Sequence, residues 1–292
     1  MKNKLIHHLT IVGVGLIGGS VAKALRSENA VGHVTGFGRR EKTLQRAQAL
    51  GVIDSWSLDL DVAVERAEVV VLTSPVNSIA SIFHELKPCL GDTTIVTDAG
   101  SVKASIVDAA VRDLGDKIVN FVPGHPIAGK EKSGVDAASE SLFHGHRTIL
   151  TPMANTDAEA ISTVKNMWET VGAEVVLMEP SVHDELLALT SHLPHALAFV
   201  LVDLLSRQKN SKDCFDLSAG GFYDITRVAS GDPVMWRDIF LSNKQAILQR
   251  LTEYSSAIND LAGLIDRSDS SALEELFKNA NRARKRIKDR RS

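Results

Sequence analysis

The sequence predicts an α/β fold in which a doubly wound parallel sheet is followed by an all-helical domain. In the first half, short apolar runs rich in Val, Ile and Thr alternate with helical stretches, which is typical of a parallel sheet covered on both faces. A glycine-rich turn follows the first of these runs, and after Pro180 the apolar spacing is helical almost throughout. Together these observations predict an N-terminal Rossmann-type domain and a C-terminal domain made of helices.

The elements of the first half follow one another in regular alternation. Strands are predicted at residues 9–14, 34–37, 69–72, 94–97 and 118–122, with helices between them such as 41–50 and 102–114. A further strand-like run at 148–150 precedes a helix predicted over 157–171, with Thr156 and Glu159 as its capping box. Gly172 ends this helix, and residues 174–178 are again strand-like.

The helical half begins at about residue 180. Ser181 and Asp184 have the spacing of a capping box, which predicts that Asp184 supports the start of its own helix. We therefore predict a dinucleotide-binding domain over residues 1–178 and a helical domain over 179–292. The most apolar stretch, 186–205, contains two histidines and an aspartate. Because such residues are costly in lipid, it predicts a buried helix of a bundle rather than a membrane span.

Composition and charge restrict the possible partners. Lys and Arg number 33 against 36 Asp and Glu, for a net charge of −3, so no nucleic acid partner is expected, because phosphate binding favours a basic surface. Cys89 and Cys214 form no CxxC pair, which predicts free thiols, no metal site and a reducing cytoplasm. The polar start has no signal-peptide pattern. The basic tail 282–292 is expected to be a solvated helix end.

The glycine-rich turn has the pattern GxGxxG at residues 13–18. Gly13 permits a tight turn, Gly15 lets the backbone approach a pyrophosphate, and Gly18 lets the helix pack close to the strand. The helix N-terminus at Leu16 and Ile17 offers N–H groups and a positive dipole to the same pyrophosphate. A glycine-rich turn without a ligand is the alternative. The preceding strand and following helix favour a dinucleotide site.

The end of the second strand is expected to contact the adenosine ribose of the dinucleotide. The chain has no Asp or Glu there but Gly38, Arg39 and Arg40, and two guanidinium groups can pair with a 2′-phosphate. We therefore favour acceptance of NADP, with NAD possible; two solvent-facing arginines are the alternative. Ser74 and Pro75, which follow the 69–72 strand, are predicted to complete the cofactor site.

Three further segments go beyond a generic dinucleotide-binding domain. DAGSVK (98–103) and GHPIAGKEKSG (124–134) each follow a predicted strand, where open α/β sheets bind their ligands. SHLPHALAF (191–199) lies in the helical half. With GVGLIGGS (13–20) and a TR…DP..W pattern from Thr226 to Trp236, these segments closely resemble the prephenate/arogenate (cyclohexadienyl) dehydrogenase family. The resemblance covers nearly the whole chain in consistent order.

The resemblance implies NAD(P)-dependent oxidative decarboxylation of prephenate to 4-hydroxyphenylpyruvate, or of arogenate to tyrosine, by a homodimer that associates through its helical domain. It implies that His125 accepts the hydroxyl proton of the substrate and that Ser101 orients His125. A neutral imidazole suits this role because it titrates near the working pH. Taken alone, His125 could be a structural loop histidine, and Ser101 the N-cap of the following helix.

Substrate-binding roles follow from the same resemblance. Arg227 is expected to hold a substrate carboxylate, since a guanidinium binds carboxylate bidentately. Ser191 and His195, at positions i and i+4 of one helix face, are expected to face the substrate, and Trp236 to line the pocket. An ion pair for Arg227 and core contacts for the other three are the alternatives. Residues 131 and 132 are placed near the pocket mouth.

The sequence leaves two other functions as alternatives. A β-hydroxyacid dehydrogenase has a similar two-domain plan, but it relies on a lysine of the helical domain within a Lys-x-x-Asn pattern that follows a glycine-rich helix start. Lys278 and Asn281 have that spacing without the glycines. A non-catalytic dinucleotide sensor on the same fold would have no need for His125, Ser101 and Arg227 together. Both alternatives are therefore less favoured.

Overall fold

Six parallel strands form the central sheet of the computed structural model, which describes residues 4–130 and 132–286. They are β1 (Ile6–Val12), β2 (Val31–Phe37), β3 (Ser55–Ser57), β4 (Val69–Leu72), β5 (Ile95–Asp98) and β6 (Phe121–Val122). The spatial order is β3-β2-β1-β4-β5-β6, and every neighbouring pair is parallel. The order reverses between β1 and β4, so the carboxyl ends of these two strands flank the crevice in which such sheets bind ligands.

Helices cover both faces of this sheet. They are α1 (Leu16–Ser27), α2 (Glu41–Ala49), α3 (Leu60–Val64), α4 (Val76–Leu86) and α5 (Ala104–Asp113). Helices α1 and α2 contribute Leu25 and Leu44 to one buried cluster, whereas α4 and α5 contribute Phe83 and Ile106 to another. Because both faces are covered, β4 is buried at all of its positions. The predicted doubly wound parallel sheet is confirmed.

A second sheet of three strands follows the first. It consists of β7 (Gly124–Pro126), β8 (Arg147–Leu150) and β9 (Glu174–Leu177), with helix α6 (Ala158–Thr170) between the last two. Strands β7 and β8 are antiparallel, and β8 and β9 are parallel. A single residue, Pro123, separates β6 from β7, so the chain at this point carries the 124–134 motif out of the central sheet.

The start of α6 differs by one residue from the predicted capping box. Asp157, not Thr156, caps the helix, because its carboxylate accepts from the backbone N–H of Glu159 at 2.9 Å and of Ala160 at 3.0 Å. The Thr156 hydroxyl instead accepts from the backbone N–H of Met153 at 3.0 Å. Both side chains can cap a helix, and the turn that precedes α6 decides between them.

The second half is helical, as predicted. Its helices are α7 (Pro180–Leu187), α8 (Leu193–Ser206), α9 (Ser211–Asp216), α10 (Gly220–Thr226), α11 (Pro233–Ser242), α12 (Lys244–Asp266) and α13 (Ser270–Arg284). A π-helical turn, Ala188–His192, joins α7 to α8. Short 3₁₀ segments occur at Lys87–Cys89, Gly115–Asn120, Val135–Ala137 and Arg227–Ser230.

The chain groups into two compact units, Met1–Lys244 and Gln245–Ser292. The first unit contains both sheets and the helices up to α11. In the second, helix α13 carries an ion pair between Glu274 and Lys278 at 2.6 Å, one turn apart. The functional division at residues 178 and 179 stays a prediction. The basic tail falls partly on residues 287–292, which lie outside the described residues.

The prediction of a buried helix over residues 186–205 is wrong for the single chain. Within the described residues, Pro180–Ser206 is one helical stretch long and apolar enough to cross a membrane by length and composition, but only 33% of its apolar window is buried. Val200 and Leu204 on α8 are 63% and 57% exposed. The length and composition are weak evidence for a membrane span, since core helices of soluble proteins share them. The exposed side of α8 is therefore an apolar face.

Candidate active site

The glycine-rich turn has the geometry that its sequence predicts. Gly13, directly after β1, has a φ of +96°, a conformation that glycine adopts without strain. A Cβ on Gly18 would lie 2.5 Å from the Thr73 hydroxyl oxygen and 2.6 Å from Ile11, whereas a Cβ on Gly15 would meet nothing within 4 Å. Gly18 is therefore needed for close packing of α1 on the sheet, and Gly15 borders open space.

This open space fits a dinucleotide. Helix α1 begins at Leu16 behind Gly15, no side chain caps its N-terminus, and its first turn contains no acidic residue. Leu16 and Ile17 pack their side chains against the core, so their backbone is held at the turn. The arrangement leaves a helix N-terminus with its positive dipole facing a space without side chains, which suits a pyrophosphate.

The other predicted cofactor residues lie around the same turn. The Ser74 hydroxyl donates to the Val12 carbonyl at 3.4 Å, and Pro75 immediately precedes α4. Gly38, Arg39 and Arg40 follow β2, whose last residue pairs in register with the last residue of β1. Both arginines are exposed. Their guanidinium groups are thus available at the strand end that the adenosine ribose is expected to reach.

His125 lies in β7, is partly buried, and belongs to a line of polar side chains that continues through the buried His183 and Asp184. Its Nδ1 is 2.8 Å from Nε2 of His183, and Nδ1 of His183 is 2.7 Å from Oδ1 of Asp184. Burial keeps the pKa of His125 well below its ordinary value of 6.5, and nearby His183, Lys103 and His192 lower it further. His125 is therefore a neutral imidazole at neutral pH.

Asp184 connects this line to the central domain. Its Oδ1 accepts from the backbone N–H of Lys103 at 2.8 Å, and its Oδ2 accepts from that of Ala104 at 2.9 Å. These are the first N–H groups of α5, so Asp184 of α7 caps a different helix from its own. The prediction that Asp184 forms a capping box with Ser181 is wrong: α7 begins behind Glu179 without a side-chain cap.

A buried ion pair holds the start of strand β7, which carries His125. The ammonium group of Lys103 contacts the carboxylate of Asp98 and also donates to the Gly124 carbonyl at 2.7 Å. Asp98 accepts in turn from the backbone N–H groups of Gly100 at 2.7 Å and Gly124 at 3.1 Å. Burial lowers the pKa of Lys103, and the charge of Asp98 opposes that shift. The pair ties the end of β5 to the start of β7.

Ser101 lies in the short segment between β5 and α5, between the two partners of this ion pair in sequence. Its side chain is partly buried and makes no hydrogen bond to any residue in the described ranges 4–130 and 132–286. Neither predicted role, orienting His125 or capping α5, corresponds to a hydrogen bond in this structure. The cap is supplied by Asp184, and the contact to the His125 ring comes from His183. The role of Ser101 stays a prediction.

The predicted substrate-binding residues of the helical half lie close to one another. The His195 ring stacks on Trp236 with 3.7 Å between ring centroids, and its Nδ1–H donates to the Ser191 carbonyl at 2.8 Å. Burial lowers the pKa of His195, and the positive charge of Arg227 lowers it further, although the Ser191 carbonyl opposes the shift. Trp236 is buried together with Val102, so it combines core packing with the stacking on His195.

His192 and Asn243 connect the line from His125 to Asp184 with the stacked pair of His195 and Trp236. The Asn243 amide donates to the backbone carbonyl of Asp184 at 2.8 Å and lies 3.2 Å from Nδ1 of His192. The His192 ring meets Trp236 edge-on, with 6.2 Å between ring centroids. Burial lowers the pKa of His192 to about 4. A continuous series of contacts therefore runs from His125 to His195 and Trp236.

Four residues of this site had no predicted role at the His125 centre: Lys103, His183, Asp184 and His192. Their sequence signals are that Lys103 stands in the DAGSVK motif and that His183 and Asp184 are adjacent near a helix start. The position of Asp184 against α5 depends on contacts distant in sequence. Residue 131 lies outside the described residues, and Lys132 is exposed.

Comparisons with known proteins give a consistent result. Residues 21–177 match the family model described as prephenate dehydrogenase, nucleotide-binding domain, and residues 179–279 match prephenate dehydrogenase, dimerization domain. A cyclohexadienyl dehydrogenase of Zymomonas mobilis is 38% identical over 96% of this chain and 96% of its own length.

Two solved structures resemble the chain along nearly its whole length. A prephenate dehydrogenase of Aquifex aeolicus, crystallised with hydroxyphenyl propionate and NAD+, superposes with a TM-score of 0.91 at 39% identity, over 97% of this chain and 98% of that one. An arogenate dehydrogenase of Synechocystis has a TM-score of 0.83 at 30% identity, over 96% and 99%.

Proposed function

Because the chain belongs to the prephenate dehydrogenase family, we propose that it catalyses NAD(P)-dependent oxidative decarboxylation of prephenate to 4-hydroxyphenylpyruvate, of arogenate to tyrosine, or of both. The observation that carries the proposal is the position of His125 at the start of the second sheet, joined through a series of hydrogen bonds and ring contacts to His195 and Trp236 of the helical half. The matched family models give no support to the β-hydroxyacid dehydrogenase or sensor alternatives.

The reaction needs one hydride acceptor, one base and a fixed substrate. The nicotinamide, when bound, supplies the acceptor for the hydride that leaves the ring carbon bearing the 4-hydroxyl. The hydroxyl proton leaves as the carbonyl forms. The ring carboxylate then departs as CO₂, its bonding electrons complete the aromatic ring, and the carbonyl oxygen regains a proton to give the phenol. Since aromatisation drives the decarboxylation, the protein has mainly to align the reactants and to hold one proton between these two steps.

His125 is the proposed base. An imidazole that stays neutral at the working pH can accept a proton, and general-base catalysis by a positioned side chain contributes about 10²–10⁴-fold in rate. The lowered pKa of His125 keeps it in this form. Ser101, in the adjacent segment, is proposed to contact the same imidazole or the substrate hydroxyl once substrate is bound.

The helical half is proposed to hold the substrate. Arg227 begins a 3₁₀ segment directly after α10, and its charge acts on His195. A guanidinium there suits one carboxylate of a dicarboxylic substrate. His195 and Ser191 are proposed as polar contacts, and Trp236 as an aromatic wall that also fixes the His195 ring.

The cofactor is proposed to lie along the glycine-rich turn, with its pyrophosphate at Gly15, Leu16 and Ile17. The exposed Arg39 and Arg40 support acceptance of NADP, with NAD also usable. The Aquifex aeolicus relative was crystallised with NAD+. Residues 1–178 are proposed as the cofactor domain and 179–292 as the substrate and dimerisation domain of a cytoplasmic homodimer.

A matrix of substrates against cofactors tests the proposed function. Formation of reduced cofactor is followed spectrophotometrically with prephenate, arogenate and a simple β-hydroxyacid, each with NAD and with NADP. We expect turnover with prephenate or arogenate and none with the β-hydroxyacid. Turnover of the β-hydroxyacid alone would favour the alternative dehydrogenase, and no turnover with any substrate would favour the sensor.

A further inference from the structure

We propose that His183 and Asp184 are positioning residues that select the tautomer of His125, so that its Nδ1 carries the hydrogen and its Nε2 carries the lone pair. This inference rests on the proposed function, because it concerns the base of that reaction. Neither residue is among the site residues predicted from the sequence. The evidence is the line of three hydrogen-bonded side chains that runs from His125 through His183 to Asp184.

At Asp184 the hydrogen-bonding roles are unambiguous, because two of its partners are backbone N–H groups. Two backbone N–H groups, those of Lys103 and Ala104, point at its two oxygens. A backbone N–H can only donate, so both oxygens act as acceptors. The N-terminus of α5 places the positive pole of a helix dipole beside them. Asp184 is only 5% exposed, so water does not replace these contacts.

The hydrogen bond to Asp184 determines which ring nitrogen of His183 carries the hydrogen. Oδ1 of Asp184 accepts, so Nδ1 of His183, at 2.7 Å, must donate and carries a hydrogen. Burial lowers the pKa of His183 although Asp184 opposes the shift, and the ring is neutral with one hydrogen. That hydrogen is on Nδ1, which leaves Nε2 of His183 as an acceptor.

The tautomer of His125 follows. Its Nδ1 lies 2.8 Å from Nε2 of His183, which can only accept, so Nδ1 of His125 donates. The single hydrogen of neutral His125 is then on Nδ1, and Nε2 has the free lone pair. A base needs that lone pair where the substrate binds, and the opposite tautomer would present an N–H there instead.

The same line keeps its hydrogen bonds in the protonated product of the step. After Nε2 of His125 takes the hydroxyl proton, the imidazolium still donates through Nδ1 to His183, and the negative charge of Asp184 lies at the far end of the line. The positive charge of Lys103 acts in the opposite direction, as would protonation of His192. Asp184 is the acidic group in this line that can compensate for the new positive charge.

Nitrogen NMR of histidine side chains tests the proposal directly. The full-length protein is labelled with ¹⁵N in its histidine rings, and the two ring nitrogens of His125 are assigned by their loss in His125→Asn. A nitrogen with a hydrogen and one with a lone pair differ widely in chemical shift, so the tautomer is read without an activity measurement. We expect the Nδ1–H form in the wild-type protein; the Nε2–H form would overturn the proposal.

Two variants of His183 separate positioning from structural support. His183→Asn can still donate to Asp184, but its side chain is too short to accept from His125. We expect the Nε2–H form of His125 to appear and kcat to fall by about 10²-fold, at the lower end of a general-base contribution, with KM changed less than threefold. His183→Gln places an amide oxygen where Nε2 was, so we expect it to keep the Nδ1–H form and to stay within about tenfold of the wild-type kcat.

His84→Asn is the matched control, because His84 is exposed on α4 and has no place in the site; its kcat and the His125 signals should not change. An unchanged tautomer and an unchanged kcat in His183→Asn would refute the role of His183. A wild-type protein that forms no reduced cofactor with prephenate or arogenate would instead refute the proposed function, and the NMR result would still stand or fall separately.

Discussion

Individual side chains show both the reach and the limit of sequence reasoning. The sequence singles out His125 and Arg227 as candidates, because each stands in a motif with a recognisable chemistry. The hydrogen-bonding partner of His125 could not be predicted. Asp184 has local spacing for a capping box, but it caps α5, which begins 80 residues earlier in the chain. Only the folded arrangement brings α7 against α5, and no local pattern records that contact.

Substitution of Arg227 tests its proposed contact with a substrate carboxylate. Arg227→Ala should raise KM for prephenate or arogenate by roughly 10–150-fold with a smaller change in kcat, because loss of one charged hydrogen-bonding partner costs about 1.5–3 kcal/mol. Arg227→Lys should recover part of the loss, since an ammonium keeps the charge but not the bidentate geometry. Steady-state kinetics measure both variants. A normal KM in Arg227→Ala would remove this residue from the substrate site.

Cofactor choice is also decided by single residues. Replacing both Arg39 and Arg40 by Ala should lower kcat/KM for NADP by about tenfold or more while NAD is affected little, because only NADP has the 2′-phosphate that guanidinium groups bind. The ratio of kcat/KM for the two cofactors is the measurement. A wild-type enzyme with a strong preference for NAD, or an unchanged ratio in the double variant, would contradict the proposal that Arg39 and Arg40 bind the 2′-phosphate of NADP.

Among the elements, five of the six strands of the central sheet were predictable because buried parallel strands are continuous apolar runs, and the helical half was predictable from its periodicity. Strand β3 was not predicted, because its three residues, Ser55–Ser57, form no such run. Strand ends shifted by a few residues; the first strand, for example, runs from Ile6 to Val12. The antiparallel pairing of β7 with β8 was not predicted, because three-residue strands leave no periodicity to interpret. This pairing nevertheless sets the position of His125.

The glycine-rich turn allows a matched pair of variants. Gly18→Ala would place a Cβ 2.5 Å from the Thr73 hydroxyl oxygen, so α1 must move and we expect both the melting temperature and cofactor affinity to fall. Gly15→Ala meets no atom within 4 Å and has φ of −108°, so the fold should keep its melting temperature. Cofactor affinity should nevertheless fall at least tenfold, because the methyl group occupies the space of the pyrophosphate.

Thermal unfolding and isothermal titration with NAD and NADP compare the two glycine variants. The expected difference is a loss of stability in Gly18→Ala only, with weakened binding in both. Normal cofactor affinity in Gly15→Ala would show that the dinucleotide does not follow this turn.

For the whole molecule, buried neutral histidines predict sensitivity to acid. His125, His183 and His192 all have a lower pKa in the folded protein than the ordinary 6.5, about 4 in the case of His192. The unfolded chain therefore binds more protons below pH 6.5, and the stability that these groups provide is complete above that pH and lost as the pH falls towards 4. Each such histidine contributes a slope of up to about 1.4 kcal/mol per pH unit.

Urea unfolding at pH 7.0, 6.0 and 5.0 measures this dependence. We expect the free energy of unfolding to fall over this range, and the slope to be smaller in His192→Gln, which has no proton to gain. An equal free energy of unfolding at all three pH values would show that these side chains are not buried in neutral form.

The protein is expected to form a homodimer. The matched dimerization domain and the exposed apolar side of α8 lead us to expect a particle of about twice the chain mass of 31.6 kDa. Val200→Glu with Leu204→Glu should weaken the dimer, because two charges would enter an apolar interface. Val62→Glu, on a position that is 61% exposed in α3, is the control. Light scattering that shows a monomer for the wild-type chain would contradict the expectation.

The most direct test of the account compares His125→Asn with the wild-type enzyme in rapid-mixing measurements of reduced cofactor formed from prephenate or arogenate. Fluorescence titration gives the Kd of the cofactor for both proteins. If His125 is the base, kcat falls by about 10²–10⁴-fold and the cofactor Kd is unchanged. Turnover at the wild-type rate in His125→Asn would contradict the assignment of this residue and the mechanism built on it.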